Sequence, residues 1–168
     1  MSCLHIWLTS KSQNHLLLNL QKTVSMCYSI RKCNLQHFKV SIHNQYISSV
    51  TEFKYLGVVL DPQLKFNHHI KKISKTIKTN LNCFKLIRHY IPHQAAILYM
   101  HSMIFSHISY CLTVWAPAAP STKQHIGSLY NQTVKVLDKK TIRWHHCKVI
   151  KKYNLLSFES FIDFIFIF

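Results

Sequence analysis

The chain has 168 residues, 48% of them hydrophobic, which suits about one folded domain with an apolar core. It carries 21 Lys and Arg against five Asp and Glu, a formal net charge of +16, so we expect partners with anionic surfaces. Its two glycines exclude the glycine-rich phosphate loops of mononucleotide- and dinucleotide-binding proteins.

The charge is distributed unevenly along the chain. Residues 52–90 hold eight basic residues against Glu52 and Asp61, whereas residues 91–122 hold no charged side chain. This pattern predicts basic surfaces on either side of an uncharged core segment, and it favours phosphate backbones or anionic membranes as partners. A basic protein with no specific ligand has the same composition, so that alternative stays open.

The first third of the chain is predicted to form a small antiparallel sheet. The predicted elements are, in order, the end of a helix at residues 4–15, a strand at 16–28, a strand at 38–42, a turn at 43–45, a strand at 46–50 and a last strand at 51–60. Gly57 marks a bulge or a close approach of another backbone within the last strand. Asp61 and Pro62 end that strand, because proline has a fixed φ and no N–H to donate.

Beyond Pro62 the apolar residues change to helical spacing. Ile70, Ile73, Ile77, Leu81 and Phe84 recur at intervals of three and four residues, which predicts an amphipathic helix with one buried stripe. The remaining faces of this helix hold basic side chains, namely Lys71, Lys72, Lys75, Lys78, Lys85 and Arg88. Such a face can lie along a phosphate backbone, although a merely solvated lysine face has the same pattern.

Three further helical segments are predicted. Residues 94–115 are apolar on nearly all sides, which is typical of a buried helix, and their polar residues argue against a membrane span. Ser121 is the predicted N-cap of a helix at 123–140. Its inward positions are Ile126, Leu129, Tyr130, Val134 and Leu137. A fourth helical stretch runs from about residue 149 to the end, where the apolar pattern stops without a cap and indicates a truncated reading frame.

The stretch Val50–Asp61 (VTEFKYLGVVLD) resembles a block of the reverse transcriptases of LINE-type (non-LTR) retrotransposons. In that family a Phe-Lys-Tyr-Leu-Gly-Val-x-Leu-Asp block closes the palm and leads into the thumb. Three further segments resemble family blocks and keep the family's order, namely Leu16–Thr23 (LLLNLQKT), Ile108–Trp115 (ISYCLTVW) and Tyr153–Phe161 (YNLLSFESF). Together they extend the resemblance over most of residues 7–168.

The resemblance implies an α+β chain, with a small antiparallel sheet followed by a bundle of three to four helices. It implies truncated palm-end strands at 1–61, thumb-like helices at 62–116 and a helical post-thumb segment at 117–168. Lys22 would correspond to the lysine proposed to protonate the pyrophosphate leaving group. The hairpin that grips the primer end would be represented by Phe53, Tyr55, Leu56 and Gly57. Nucleic-acid contacts are expected at Lys54, Lys71, Lys72, Lys75, Lys78, Lys85 and Arg88.

The resemblance leaves out the catalytic centre. Polymerases of this family hold two metal ions with aspartates of a Tyr/Phe-x-Asp-Asp block, which would lie shortly before Met1. Residues 1–51 contain no Asp or Glu, and the five acids of the chain fall on separate predicted elements. We therefore expect a catalytically incomplete remnant, not an enzyme, that retains at most weak, sequence-independent binding to an RNA or DNA backbone.

No cofactor, metal ion, small-molecule substrate or membrane partner is predicted. The six cysteines form no C-x-x-C pair, and His145, His146 and Cys147 are contiguous, whereas zinc ligands are usually spaced apart. We interpret the cysteines as reduced thiols of an intracellular protein, cytoplasmic or nuclear, because no secretory signal precedes them.

Two alternative interpretations remain open. A non-enzymatic basic RNA- or DNA-binding module would use the same lysines and a basic cluster at residues 143–152, with Tyr90, Trp144 and Tyr153 available for base stacking. Residues 50–90 also resemble the N-terminal segment of the AlkB-type tRNA-modifying oxygenase/methyltransferase family. Its chemistry would need an iron triad or a glycine-rich cofactor loop, and neither is found in the sequence.

Overall fold

The computed structural model describes residues 19–29, 39–42, 44–140 and 143–167. The fold class is α+β, as predicted, with two antiparallel two-stranded sheets followed by helices. The strands are β1 (Val40–Ile42), β2 (Gln45–Ile47), β3 (Phe53–Tyr55) and β4 (Val58–Leu60). The helices are α1 (Asn67–Ile87), α2 (His93–Tyr99), α3 (Ser106–Ser109), α4 (Leu112–Trp115), α5 (Pro120–Leu137), α6 (His146–Lys152) and α7 (Phe158–Ile167), with a π-helical segment, Met100–Phe105, joining α2 to α3.

The chain divides into two units. The first comprises the residues up to 53 together with 61–63, and the second comprises 54–60 and the residues from 64 onward. All seven helices belong to the second unit, where they share one hydrophobic core. The boundary predicted between residues 116 and 117 therefore lies inside this unit.

The first unit contains the β1–β2 hairpin. Its register pairs Val40 with Ile47 and Ile42 with Gln45, which leaves a two-residue loop. Asn44 in that loop has a φ of 61°, the left-handed conformation that short hairpin turns require. The predicted hairpin is thus confirmed, but Gln45, predicted as part of the turn, already belongs to β2, and His43 lies outside the described residues.

The strand predicted at residues 16–28 is wrong over its described part. Asn19 caps a single 3₁₀ turn, Leu20–Lys22, by accepting a hydrogen bond from the Lys22 N–H. Ser25 then forms an isolated parallel bridge with Ser49 instead of a ladder. The predicted helix at residues 4–15 lies outside the described residues.

The single strand predicted at residues 51–60 is wrong, because β3 and β4 form a separate hairpin and do not extend the β1–β2 sheet. Leu56 and Gly57 form its turn with φ values of 43° and 85°, the combination of a type I′ turn. Gly57 lies at the edge of β4, and a Cβ there would be 3.1 Å from Cε1 of Tyr110. The close approach expected at Gly57 is therefore made by a side chain and not by a backbone.

Helix α1 is continuous over 21 residues, as its apolar spacing predicts. Ile70, Ile77, Leu81 and Phe84 are each at most 2% exposed, and Ile73 is partly buried against the same core. The buried stripe packs mainly against α5. No side chain caps the start of α1, so packing of the stripe is the main source of its stability.

Helix α5 buries all of its predicted inward positions and begins with Pro120 at its first turn, one residue before the predicted cap. Tyr130 lies at the centre of an aromatic cluster, stacked on Phe105 with 4.7 Å between ring centroids and close to Phe158 and Phe161. Its hydroxyl donates to the Leu156 carbonyl oxygen at 2.6 Å, and burial raises the pKa of Tyr130 to about 12. The ring therefore stays a neutral donor at physiological pH.

The helix predicted over residues 94–115 is interrupted. It runs from His93 to Ser109 with a π-helical segment in its middle, and Cys111, with a φ of 49°, separates it from α4. Asn80 of α1 donates its side-chain N–H to the carbonyl oxygen of Met103 in the π-helical segment. The hydroxyls of Ser102 and Ser106 donate to backbone carbonyl oxygens one turn earlier, which satisfies polar groups in this apolar stretch.

The fourth helical stretch is also interrupted, between α6 and α7. Asn154 has a φ of 50°, and residues 153–157 connect the two short helices. The Asp138 carboxylate, at the end of α5, accepts hydrogen bonds from Lys152 at 2.5 Å and from Tyr153 at 2.6 Å. These bonds attach the end of α6 to α5.

His69 lies in the first turn of α1 and is 2% exposed. Its Nδ1 accepts a hydrogen bond from the Val59 N–H at 3.4 Å, and its Nε2 has no partner within the described part of the chain. Burial, and to a smaller extent the charge of Lys72, lowers the pKa of His69. The folded protein therefore favours the neutral form of the His69 imidazole.

We predict that the free energy of unfolding decreases as the pH falls below about 6.5, the ordinary pKa of histidine. The unfolded chain takes up a proton at that pH, whereas folded His69 resists it, so protonation favours the unfolded state. Urea unfolding at about pH 8 and about pH 5 measures the effect. His69→Gln should reduce this pH dependence, whereas His68→Gln, which changes the neighbouring exposed ring, should leave it in place. Equal pH dependence in the two variants would contradict the role of His69.

Candidate nucleic-acid interface

Four lysines lie on one line along α1. Lys71, Lys75, Lys78 and Lys85 follow one another at intervals of four, three and seven residues, which returns each side chain to the same side of a helix with 3.6 residues per turn. All four are exposed, and the exposed side chain of Asn82 falls on the same line. We call these four lysines the lysine row.

The lysine row is about 21 Å long, since each residue of a helix adds about 1.5 Å. One strand of a duplex presents roughly six phosphates over that length. Lys72 is also exposed and lies about 100° around the helix from Lys71. The row is held straight because the buried stripe, about 100° around the helix from the row, fixes α1 in the core.

No acid within α1 neutralises the row. The helix contains no Asp or Glu, and none of the four lysines forms an ion pair with another described residue. Lysines four residues apart, such as Lys71 and Lys75, repel each other and lower helix stability slightly. The row is therefore not a feature that stabilises the fold, and it leaves four positive charges available to an anion.

Arg88 does not belong to this exposed face, so its predicted place there is wrong. It is 5% exposed, and its guanidinium donates from Nε and Nη2 to the Leu137 carbonyl oxygen at 2.9 and 2.7 Å. A third bond joins Nη1 to the Ile91 carbonyl oxygen at 3.4 Å. Arg88 thus satisfies the carbonyl at the end of α5 and joins the ends of α1 and α5.

We predict that Arg88→Met lowers the free energy of unfolding by about 2 kcal/mol, because it leaves the buried Leu137 carbonyl without a donor. Lys85→Met, on the exposed side of the same helix, should change it by less than about 0.5 kcal/mol. Denaturant unfolding of both variants gives the comparison. If the Arg88→Met protein were as stable as the unaltered chain but bound nucleic acid more weakly, Arg88 would be part of the interface and the structural role would be wrong.

The hairpin predicted to resemble a primer grip presents exposed residues at its tip. Lys54, Tyr55 and Leu56 are exposed, whereas Phe53 is partly buried and belongs to the first unit. The Tyr110 hydroxyl donates to the Leu56 carbonyl oxygen at 2.7 Å and supports the turn. Tyr110 was not singled out from the sequence; its position inside the Ile108–Trp115 block is the one signal that pointed to this segment.

We predict that Gly57→Ala lowers the free energy of unfolding by more than Tyr110→Phe does. A side chain at the φ of 85° costs about 1–3 kcal/mol and would also crowd Tyr110, whereas loss of one hydrogen bond costs about 1 kcal/mol. Tyr90→Phe, at a ring that is 89% exposed, is the control and should have little effect. If Gly57→Ala were as stable as this control, the turn geometry would be wrong.

Lys22 and the lysine row belong to different units. Lys22 is exposed in the 3₁₀ turn of the first unit, whereas α1 and the β3–β4 turn belong to the second. The structure thus brings the lysine row together on one helix, and it assigns Lys22 to another unit.

The three rings predicted to be available for stacking have different surroundings. Tyr90 is exposed, and Trp144 is 46% exposed with Lys140 Nζ 4.5 Å and Lys148 Nζ 5.6 Å from its ring centroid. Tyr153 stacks instead on His93, with 4.9 Å between the centroids, and its hydroxyl is bound to Asp138. Tyr90 therefore remains accessible to a base, Trp144 carries lysine ammonium groups over its ring, and Tyr153 has a packing role.

Comparison of the chain with protein-family models, with curated proteins and with solved structures finds no match. Among the described helices, none has both the length and the apolar character needed to cross a membrane.

Proposed function

We propose that the chain is a catalytically incomplete remnant of a LINE-type reverse transcriptase that binds the backbone of RNA or DNA weakly and without sequence preference. The observation that carries the binding proposal is the lysine row, four exposed like charges on one straight helix that contains no acid. Binding of phosphates to these lysines releases condensed counterions, which favours association at low salt. Lys54 and Lys72 add two further exposed charges.

The proposed origin is supported by the order of the four sequence blocks. The block VTEFKYLGVVLD contains the β3–β4 hairpin and is followed by a long basic helix. The resemblance implies this arrangement for the end of a palm and the start of a thumb. An Asp-Asp block encoded in the genomic sequence just upstream of Met1, in frame or frameshifted, would support the same origin.

The proposed function includes no nucleotidyl transfer, and two of the five acids have local hydrogen-bonding roles. Asp61 accepts a hydrogen bond from the Gln63 N–H at 3.1 Å, and Asp138 is bound by Lys152 and Tyr153. Glu159 and Asp163 are exposed on α7. A polymerase of this family needs aspartates that converge on two metal ions.

A non-enzymatic nucleic-acid-binding module is the second candidate. Lys140 and Lys148, whose ammonium groups lie over the Trp144 ring, favour this function, since they can neutralise a phosphate and expose the ring to a base when they move aside. No described feature favours the AlkB-type similarity over these two candidates.

We predict that binding of the full chain to a nucleic acid weakens linearly on a plot of log affinity against log salt. Lys71→Gln, Lys75→Gln and Lys78→Gln together should flatten the slope by about two to three units, because each phosphate contact contributes about 0.7–0.9. Fluorescence anisotropy with a labelled duplex and a labelled single strand measures the slope. Circular dichroism checks that the apolar stripe still folds.

The matched control removes three charges away from both the lysine row and the Trp144 group, by Lys22→Gln, Lys39→Gln and Lys139→Gln, all at exposed positions. This variant should retain most of the slope. An equal loss of slope in both triple variants would mean that net charge, and not the lysine row, governs binding. An unchanged slope in the folded row variant would mean that the row is merely solvated.

A further inference from the structure

The start of α6 brings three metal-binding side chains together. The ligand atoms of His145, His146 and Cys147 all lie within 4.8 Å of one another. His145 and Cys147 are exposed and His146 is partly buried, so the group is open to solvent on one side. The two imidazole rings face each other, with 4.8 Å between their centroids.

The backbone explains why contiguous residues converge here. His145 is extended, with φ −76° and ψ 128°, whereas the helix begins at the next residue. The change of conformation between these residues turns neighbouring side chains toward one side. Contiguous residues therefore converge here, although the sequence alone favours side chains that point apart.

The donor set selects the kind of ion. Two imidazole nitrogens and one thiolate sulfur suit borderline transition-metal ions such as Zn²⁺, whereas Mg²⁺ and Ca²⁺ prefer oxygen ligands.

We propose that His145, His146 and Cys147 bind one Zn²⁺ or a similar divalent transition-metal ion through two imidazole nitrogens and the Cys147 thiolate. Cys147 releases its thiol proton to solvent on binding, and water occupies the remaining coordination position. This inference does not depend on the proposed nucleic-acid binding.

The ligand distances fit after a small rearrangement. Tetrahedral Zn²⁺ with bonds of about 2.0–2.3 Å places its ligand atoms about 3.3–3.7 Å apart. The atoms must therefore approach by roughly 1 Å, and the two rings must rotate out of their stack. His145 and Cys147 are exposed and can make most of this movement, so the partly buried His146 ring needs only a small rotation.

Cobalt provides the direct test, because Co²⁺ in a Zn²⁺ site absorbs visibly and a thiolate ligand adds a charge-transfer band. The full chain, kept reduced with a phosphine, should take up one Co²⁺ with this band, and Zn²⁺ should displace it. Cys147→Ser should remove the band, and His146→Ala should weaken Co²⁺ binding by at least about tenfold. Both variants should remain folded by circular dichroism.

Cys83→Ser is the matched control, since Cys83 is also an exposed cysteine but lies on α1. It should leave the band and the affinity unchanged. The proposal is wrong if no band appears in the unaltered chain, if Cys147→Ser keeps the band, or if Cys83→Ser removes it.

Discussion

The packing of the α1 stripe against α5 is the constraint on which the second unit depends. Ile77, Leu81 and Phe84 are at most 1% exposed, and Ile126, Val134 and Leu137 of α5 are completely buried in the same core. This contact determines how α1 is rotated about its axis. The lysine row faces solvent because the stripe faces inward, so the candidate interface is a consequence of core packing.

Helix α5 serves two sides of the core. Its C-terminal end receives the guanidinium of Arg88, while Gly127 and Tyr130 face the aromatic side chains of α7. A Cβ at Gly127 would lie only 2.9 Å from Phe158, so the close approach of α7 requires glycine there. Burial of the charged Arg88 is tolerated because its donors reach backbone carbonyls.

The sequence predicts those elements whose periodicity agrees with their packing. Helices α1 and α5 and the β1–β2 hairpin follow from apolar spacing and a turn, and most lysines of the candidate interface follow from the same spacing. The breaks at Leu56 and Cys111 could not be predicted, because these residue types rarely adopt positive φ; Asn154 is a type that tolerates it, but the apolar pattern continued past it. At Leu56 the turn is supported by a hydrogen bond from Tyr110, which is 54 residues away. The residues around Leu56 give no sign of this distant contact.

Arg88 shows the same limit for the candidate site. The helical spacing places Arg88 among the basic residues of α1 and therefore predicts an exposed side chain. Its guanidinium instead donates to the carbonyl oxygen of Leu137, 49 residues along the chain. The histidines and cysteine at 145–147 give the converse case, since contiguous residues converge where an extended residue meets a helix. The burial of Arg88 and the convergence of residues 145–147 both depend on backbone geometry, which the spacing of apolar residues does not reveal.

Chemical-shift mapping of an isotopically labelled chain with a short single-stranded oligonucleotide tests the central claim most directly. If the α1 stripe orients a phosphate-binding row, the largest shifts will lie at Lys71, Lys75, Lys78 and Lys85, and the buried stripe will shift little. Shifts concentrated at Trp144 and Lys148, with α1 unaffected, would contradict the account.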